Sequence, residues 1–308
     1  MRDVYTLEDL RNWKEINATL DQPACLAVFG DPIAHSLSPQ LQNAALRYYG
    51  IPGQYIRIQI SESELPEALQ LASANGFIGV NLTIPHKTAA LSLVQRVDES
   101  AKKLGAINTV LFSETGSIGF NTDGPGLSRA IRAEFNVDLR DLRVLVLGAG
   151  GGAGRAIATQ CAIEECERLV LVNRTVEKAE TLKQALLPLF QTERLCGPVE
   201  RLSVAPWTEK ALEHELLQVD LVINASSVGM KWSDPSPLPV KALQPSLLVY
   251  DATYSRHSSS RLLEESKLAG ARVANGFSML LHQGAIAFEI WFNRPAPVEQ
   301  MQSALISA

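Results

Sequence analysis

The chain has 308 residues, 46% of them hydrophobic and 20% charged, and a net charge of −5. That length allows two domains with sizeable cores, and that balance belongs to a globular enzyme rather than a disordered or fibrous chain. The acidic total argues against a nucleic-acid surface, no apolar run reaches the length of a membrane span, and Cys25, Cys161, Cys166 and Cys196 show neither metal-ligand spacing nor a disulfide framework.

The opening residues are too polar for a signal peptide and read as a short helix capped by Thr6, so the expected location is the cytoplasm. Residues 26–30 form an apolar strand ending in Gly30, and Pro39 opens a helix with Ser38 as its N-cap. Ser36 and Ser38 have two readings, helix capping alone or a pair of hydroxyls facing a ligand carboxylate. Residues 55–60 alternate as a strand, 64–74 have helical periodicity, and 77–82 form a third strand leading into Thr83-Ile-Pro-His-Lys87. This alternation implies a smaller α/β sheet. Asn81, Thr83 and Lys87 cluster where strand gives way to helix, the usual place for a ligand in an open α/β sheet. A lysine in a first helical turn opposes the helix dipole, which sets a functional reading of Lys87 level with that of a solvated lysine. Residues 106–112 and 117–120 form a hairpin, and Asp123-Gly124 is a turn or the cap of the helix at 127–135.

The stretch Val144-Leu-Val-Leu-Gly148 followed by Ala-Gly-Gly-Gly-Ala-Gly-Arg155 is strand, glycine turn and helix, and residues 168–172 close a βαβ unit. Gly148, Gly150, Gly151, Gly152 and Ala153 would let a pyrophosphate approach bare backbone at a helix N-terminus. The loop carries one glycine more than the dinucleotide fingerprint needs, and its register is open by one residue. After the second strand, Asn173-Arg174-Thr175 replaces the acidic residue usual for NAD. The arginine and hydroxyl suit a 2′-phosphate, with Lys178 one turn on, so the expected cofactor is NADP. Thr175 can also serve as a helix N-cap. Further strands fall at 220–224 and 247–250, and residues 276–291 form a mostly apolar, buried helix.

Eight motifs in this order resemble the shikimate dehydrogenase family. They are His35-Ser-Leu-Ser-Pro39, Asn81-Leu-Thr-Ile-Pro-His-Lys87, Gly105-Ala-Ile-Asn-Thr109, Asn121-Thr-Asp-Gly124, the Gly148 loop, Asn173-Arg-Thr175, Asn224-Ala-Ser-Ser-Val-Gly229 and Gly276-Phe-Ser-Met-Leu280. The resemblance implies an α/β fold of two domains: a substrate-binding domain over residues 1–125, completed by residues 256–308, and a Rossmann-type NADP-binding domain over residues 126–255. It implies that Ser36 and Ser38 bind a substrate carboxylate with Tyr254 nearby. It also implies that Thr83, Asn108 and Gln283, with Lys87 and Asp123, hold the ring hydroxyls. Lys87 and Asp123 would be the catalytic pair, and the surroundings of Ala225, Met230 and Gly276 would line the nicotinamide. The implied reaction is reversible NADPH-dependent reduction of 3-dehydroshikimate to shikimate, in aromatic amino acid biosynthesis. A quinate/shikimate dehydrogenase using NAD or NADP is the alternative, and a catalytically silent metabolite sensor is a rival of another class. The expected partners are the small-molecule substrate and at most a second copy of the chain, as monomer or homodimer, with no metal, nucleic acid or membrane. The chain departs from the family in its extra loop glycine, in Ser255-Arg-His-Ser-Ser-Ser-Arg261, which lacks the family's prolines, and in an extension before the first strand.

Overall fold

The structure is a computed structural model that describes residues 3–229, 234–253 and 259–307. The chain divides into two compact units, Met1–Gly126 with Leu280–Ala308, and Leu127–Met279.

The elements of unit 1 begin with β1 (Tyr5–Thr6), α1 (Leu7–Arg11), α2 (Trp13–Asn17), β2 (Ala24–Gly30), α3 (Ser38–Tyr48), β3 (Gln54–Gln59), α4 (Leu65–Ala74) and β4 (Gly79–Leu82). They continue with α5 (His86–Ala89), β5 (Arg96–Val97), α6 (Glu99–Leu104), β6 (Thr109–Ser113) and β7 (Gly116–Phe120), and α7 (Asp123–Phe135) leads into unit 2. The seven strands form one sheet in the order β1-β3-β2-β4-β6-β7-β5. Strands β1 to β4 run parallel, while β6 is antiparallel to both β4 and β7. The expected hairpin is therefore present, and α3 begins one residue earlier than Ser38 as N-cap would place it, with Leu37 in that position. The helix expected after Lys87 is short, a single α turn followed by a 3-10 turn.

The segment before β2 folds onto this sheet. Both the backbone N–H and the hydroxyl of Thr6 donate to Asp9 Oδ2, at 2.8 and 2.9 Å, which caps α1 as expected. Trp13, 2% exposed, packs against Tyr5 and Phe77, and β1 pairs along the outer edge of β3.

Unit 2 contains β8 (Arg143–Leu147), α8 (Gly152–Ile163), β9 (Arg168–Asn173), α9 (Val176–Leu186), β10 (Leu202–Pro206), α10 (Glu209–Leu216) and β11 (Leu221–Asn224). It goes on with β12 (Leu248–Asp251), α11 (Arg261–Leu268) and β13 (Arg272–Asn275), after which α12 (Phe277–Phe292) leads back into unit 1, where α13 (Val298–Ile306) also lies. Its six strands are all parallel, in the order β10-β9-β8-β11-β12-β13. Counted from β8 this is 3-2-1-4-5-6, the doubly wound dinucleotide-binding order. Val144 and Val146 enter the core on one face of the sheet, and Leu145 and Leu147 the core on the other. Burial on both faces is why these strands read as unbroken apolar runs.

One expected boundary is corrected. The sequence assigns everything after residue 255 to the first domain, but residues 259–279 belong to unit 2, because β13 extends the parallel sheet beyond β12 and α11 packs against both strands.

Candidate active site

In unit 1, topology gathers polar side chains at one end of the sheet. The loops after β2 and β4 leave at the same end, because those strands are parallel. Since β6 is antiparallel to β4, the residue before it, Asn108, lies at that end, and so does the segment after β7. The two loops touch: a Cβ on Gly30 would lie 2.4 Å from Thr83 Cγ2, and the Asp31 N–H donates to the Ile84 carbonyl at 3.0 Å.

Lys87, in α5, extends its ammonium to Asp123 Oδ2 at 2.7 Å, with 33% of the lysine side chain and 16% of the aspartate side chain exposed. Asn121 Oδ1 accepts the N–H groups of Asp123 and Gly124, at 3.0 and 3.3 Å, and fixes the start of α7. Asp123 is thereby the first residue of that helix, where a carboxylate is favoured by the helix dipole. The helix expected from 127 starts four residues earlier, which settles Asp123 as helical rather than as a turn.

Behind this pair lies a buried amide and hydroxyl network. Asn108 Nδ2 donates to Thr122 Oγ1 at 2.9 Å, and Asn108 Oδ1 accepts the Thr122 N–H at 2.8 Å. Gln283 Oε1, on α12, stands 3.5 Å from both Asn108 Nδ2 and Thr122 Oγ1, at the outer limit of a hydrogen bond. Asn81, 6% exposed, accepts from the Tyr55 hydroxyl at 2.8 Å and donates to the Asn108 carbonyl and Thr109 Oγ1. Burial pushes the Tyr55 phenol far above its ordinary range, so it is a donor at neutral pH. The sequence singles out neither Tyr55 nor Thr122, and Asn81 only as part of a cluster. A polar residue inside a strand buried throughout is the available signal for Asn81.

Ser36 and Ser38 lie at the start of α3, both partly buried, and Ser36 Oγ accepts the Ser38 N–H at 3.3 Å. The structure thus brings Lys87, Asp123, Asn108 and Gln283 into one connected group, with Thr83 on the loop between β4 and α5. Tyr254 lies outside the described residues.

In unit 2, the glycine loop joins β8 to α8, and its register can now be read. Gly148 has φ +80°, a left-handed turn suited to glycine. A Cβ on Gly154 would stand 2.1 Å from the Gly148 carbonyl oxygen, so Gly154 is the residue of close helix-to-strand packing, not Ala153. A Cβ on Gly152 would meet no protein atom within 4 Å, so packing within the fold does not require a glycine there. A Cβ on Gly150 would clash with Asn173 and Lys178.

Asn173 ties this loop to the end of β9. Its Oδ1 accepts the Gly150 N–H at 3.2 Å, and its Nδ2 donates to the Thr175 carbonyl at 2.8 Å. Thr175 holds the N-cap position of α9, yet its hydroxyl makes no capping bond. Arg174 and Lys178 are exposed and have no ion-pair partner among the described residues. Residues 151–153 are exposed at the first turn of α8, whose N–H groups have no intrahelical acceptor. Bare backbone, free N–H groups and two cations fit a dinucleotide carrying an extra phosphate.

Gly148 also meets the loop after β11, where its Cβ would be 2.9 Å from Ser226 Cβ. This is the point where strand order reverses. Ala225 is anchored there by its N–H to the Leu147 carbonyl. Asn224 and Asp251, both buried, brace the ends of β11 and β12 through Ser226, Thr253 and Ser260. Gly276 follows β13, its N–H directed to the Thr253 carbonyl at 3.3 Å. Met230 lies outside the described residues.

These features meet close relatives among known proteins. A shikimate dehydrogenase (NADP(+)) of Methanopyrus kandleri is 38% identical over 283 residues, covering 91% of this chain and 94% of that protein. The chain belongs to the shikimate dehydrogenase family. A second member, from Methanothrix thermoacetophila, is 41% identical over 282 residues, covering 92% and 96% of the two chains. Family models match as well: the shikimate dehydrogenase substrate binding domain over residues 28–110, and the shikimate 5'-dehydrogenase C-terminal domain over residues 276–306. The crystal structure of shikimate 5-dehydrogenase from Thermus thermophilus, in complex with NADP(H) and shikimate, superposes with a TM-score of 0.77 at 35% identity, covering 91% of this chain and 97% of that one. No described helix is long and apolar enough to cross a membrane.

Proposed function

We propose that the chain is an NADP-dependent shikimate dehydrogenase that interconverts 3-dehydroshikimate and shikimate. The observation that carries this reading is the ion pair of Lys87 and Asp123, set in a family whose members act on that substrate.

Reduction of a ketone adds a hydride to carbon and a proton to oxygen. Bound NADPH would supply the hydride. The residues of this chain manage the proton and the positions. Lys87 directs its ammonium at the developing alkoxide and delivers the proton, and as a neutral amine it accepts that proton in the reverse direction. Asp123 holds the Lys87 ammonium in place and accepts from a ring hydroxyl. Asn108, Thr83 and Gln283 orient the remaining hydroxyls, and Ser36 and Ser38 offer hydroxyls to the carboxylate. In unit 2 the backbone of Gly152 and Ala153, in the first turn of α8, would hold the pyrophosphate beside the turn at Gly148, Gly150 and Gly151, with Asn173, Arg174, Thr175 and Lys178 on the 2′-phosphate side. Ala225 and Gly276 would line the nicotinamide end.

The net charge of −5 favours a small ligand over nucleic acid, and four free thiols, two of them buried, fit a reducing cytoplasmic setting. The test is a set of initial rates with shikimate and quinate, each against NADP and NAD. The reading requires shikimate with NADP to give the highest kcat/KM. Quinate with NAD in that place would replace it.

A further inference from the structure

Strand β3 places two side chains on one face, Tyr55 and Arg57, because residues two apart along a strand point the same way. They sit beneath the start of α3, where Ser36 ends the loop and Ser38 opens the helix, and Arg57 reaches Ser36. The Tyr55 hydroxyl donates to Asn81 Oδ1 at 2.8 Å. The guanidinium of Arg57 forks onto the Ser36 carbonyl, Nε at 3.0 Å and Nη2 at 2.7 Å, and Nη2 also donates to Gln40 Oε1 at 3.1 Å. The remaining polar atoms of Ser36 are committed as well. Its N–H donates to the Ile33 carbonyl at 3.0 Å, and its Oγ accepts from Ser38 N–H. What remains is the hydroxyl proton of Ser36, a donor whose position is set by its backbone.

We infer that Arg57 is a positioning residue for the substrate carboxylate, acting through Ser36 without touching the ligand. The inference rests on the reading of Ser36 and Ser38 as carboxylate anchors. A loop that carries a hydroxyl donor into the start of a helix gains affinity from rigidity, since ordering it on binding would cost part of that hydrogen bond. An arginine fork on one carbonyl supplies that rigidity in a way a single-point ammonium does not.

The experiment is a double-mutant cycle on the full-length enzyme, with Arg57→Met, Ser36→Ala and the pair, read as KM and kcat for shikimate and KM for NADP. Arg57→Met should raise the shikimate KM by roughly tenfold, leaving kcat and the NADP KM near their original values, because the contact is remote from the reacting carbon. In the Ser36→Ala background the same change should raise KM little further, because the anchor it positions is gone. Arg57→Lys, which keeps the charge but not the fork, should recover only part of the affinity. It also serves if Arg57→Met fails to fold. Additive effects of Arg57→Met and Ser36→Ala, or full recovery by Arg57→Lys, overturn the inference. If Ser36→Ala and Ser38→Ala leave KM unmoved, the anchor reading itself is wrong. If they raise it and Arg57→Met does not, only the role of Arg57 is wrong.

Discussion

Lys87 Nζ and Asp123 Oδ2 stand 2.7 Å apart, although 36 residues separate them along the chain. Lys87→Ala should lower kcat by ~10²–10⁴-fold with little change in substrate affinity, since the ammonium meets charge that develops only in the transition state. Asp123→Asn should slow turnover and also weaken binding, through a displaced lysine and a poorer hydroxyl contact. The two losses should not add in the double mutant. Steady-state kinetics of the three variants check this, and a Lys87→Ala enzyme with near-normal kcat would remove the proposed proton carrier.

Arg174 is exposed beside the glycine loop, where a 2′-phosphate would meet it. A charge-assisted hydrogen bond contributes ~1.5–3 kcal/mol, so Arg174→Ala should weaken NADP binding by roughly tenfold or more. Affinity for NAD should barely move. Binding titrations with both cofactors decide the matter, and equal weakening would make Arg174 a structural residue.

Two glycines in the first turn of α8 should behave oppositely. Gly154→Ala forces a methyl to 2.1 Å from the Gly148 carbonyl and should destabilise unit 2 by ~1–3 kcal/mol or more. Gly152→Ala meets no protein atom within 4 Å and should leave thermal stability unchanged while reducing NADP affinity, because its methyl would stand on the exposed backbone proposed for the pyrophosphate. Melting curves with and without NADP separate the two effects.

His86 is fully buried, and its Nε2 lies 2.8 Å from the Ile60 carbonyl. Burial lowers its pKa below the ordinary 6.5, so the folded protein resists a proton that the unfolded chain accepts. Its contribution to stability is therefore complete above pH 6.5 and is lost as pH falls from 6.5 toward the folded-state value. The loss can reach ~1.4 kcal/mol per pH unit across that window. His86→Gln, which cannot titrate, should flatten the difference in urea midpoint between about pH 5 and pH 7. An unchanged slope would show that other groups govern it.

The parallel strands of unit 2 are legible in the sequence because burial on both faces leaves only apolar residues in them. Strand β13, Arg-Val-Ala-Asn, is a short edge strand with a polar residue at each end, and nothing in its pattern marks it. Without it, the boundary between the units falls in the wrong place. Helices α10, α11 and α13 are also missing from the sequence reading, although α11 has a serine cap, Ser260, whose side chain accepts the Leu263 N–H. In the site, Lys87 stands out alone, as a cation at the wrong end of a helix. Its pairing with Asp123 depends on two strand reversals and is reachable only through the family resemblance. The grip of Arg57 on Ser36 is invisible, since it depends on how β3 lies beneath a loop about twenty residues earlier in the chain.

Unit 1 is made from both ends of the chain. The indole of Trp291 donates to the Val110 carbonyl at 3.0 Å, and a methyl on Gly79 would collide with that same ring. Helix α13 packs against α3, and Gln42 donates to the Gly284 carbonyl at 2.8 Å. During synthesis, the first 126 residues therefore leave the ribosome without Trp291 and without the helix that packs on α3. Unit 2 is continuous, and its whole sequence has been translated before they appear. The nascent chain can complete its second unit first, while the first waits with apolar surface uncovered until Trp291 arrives. The interval is one in which a holding chaperone would find its substrate.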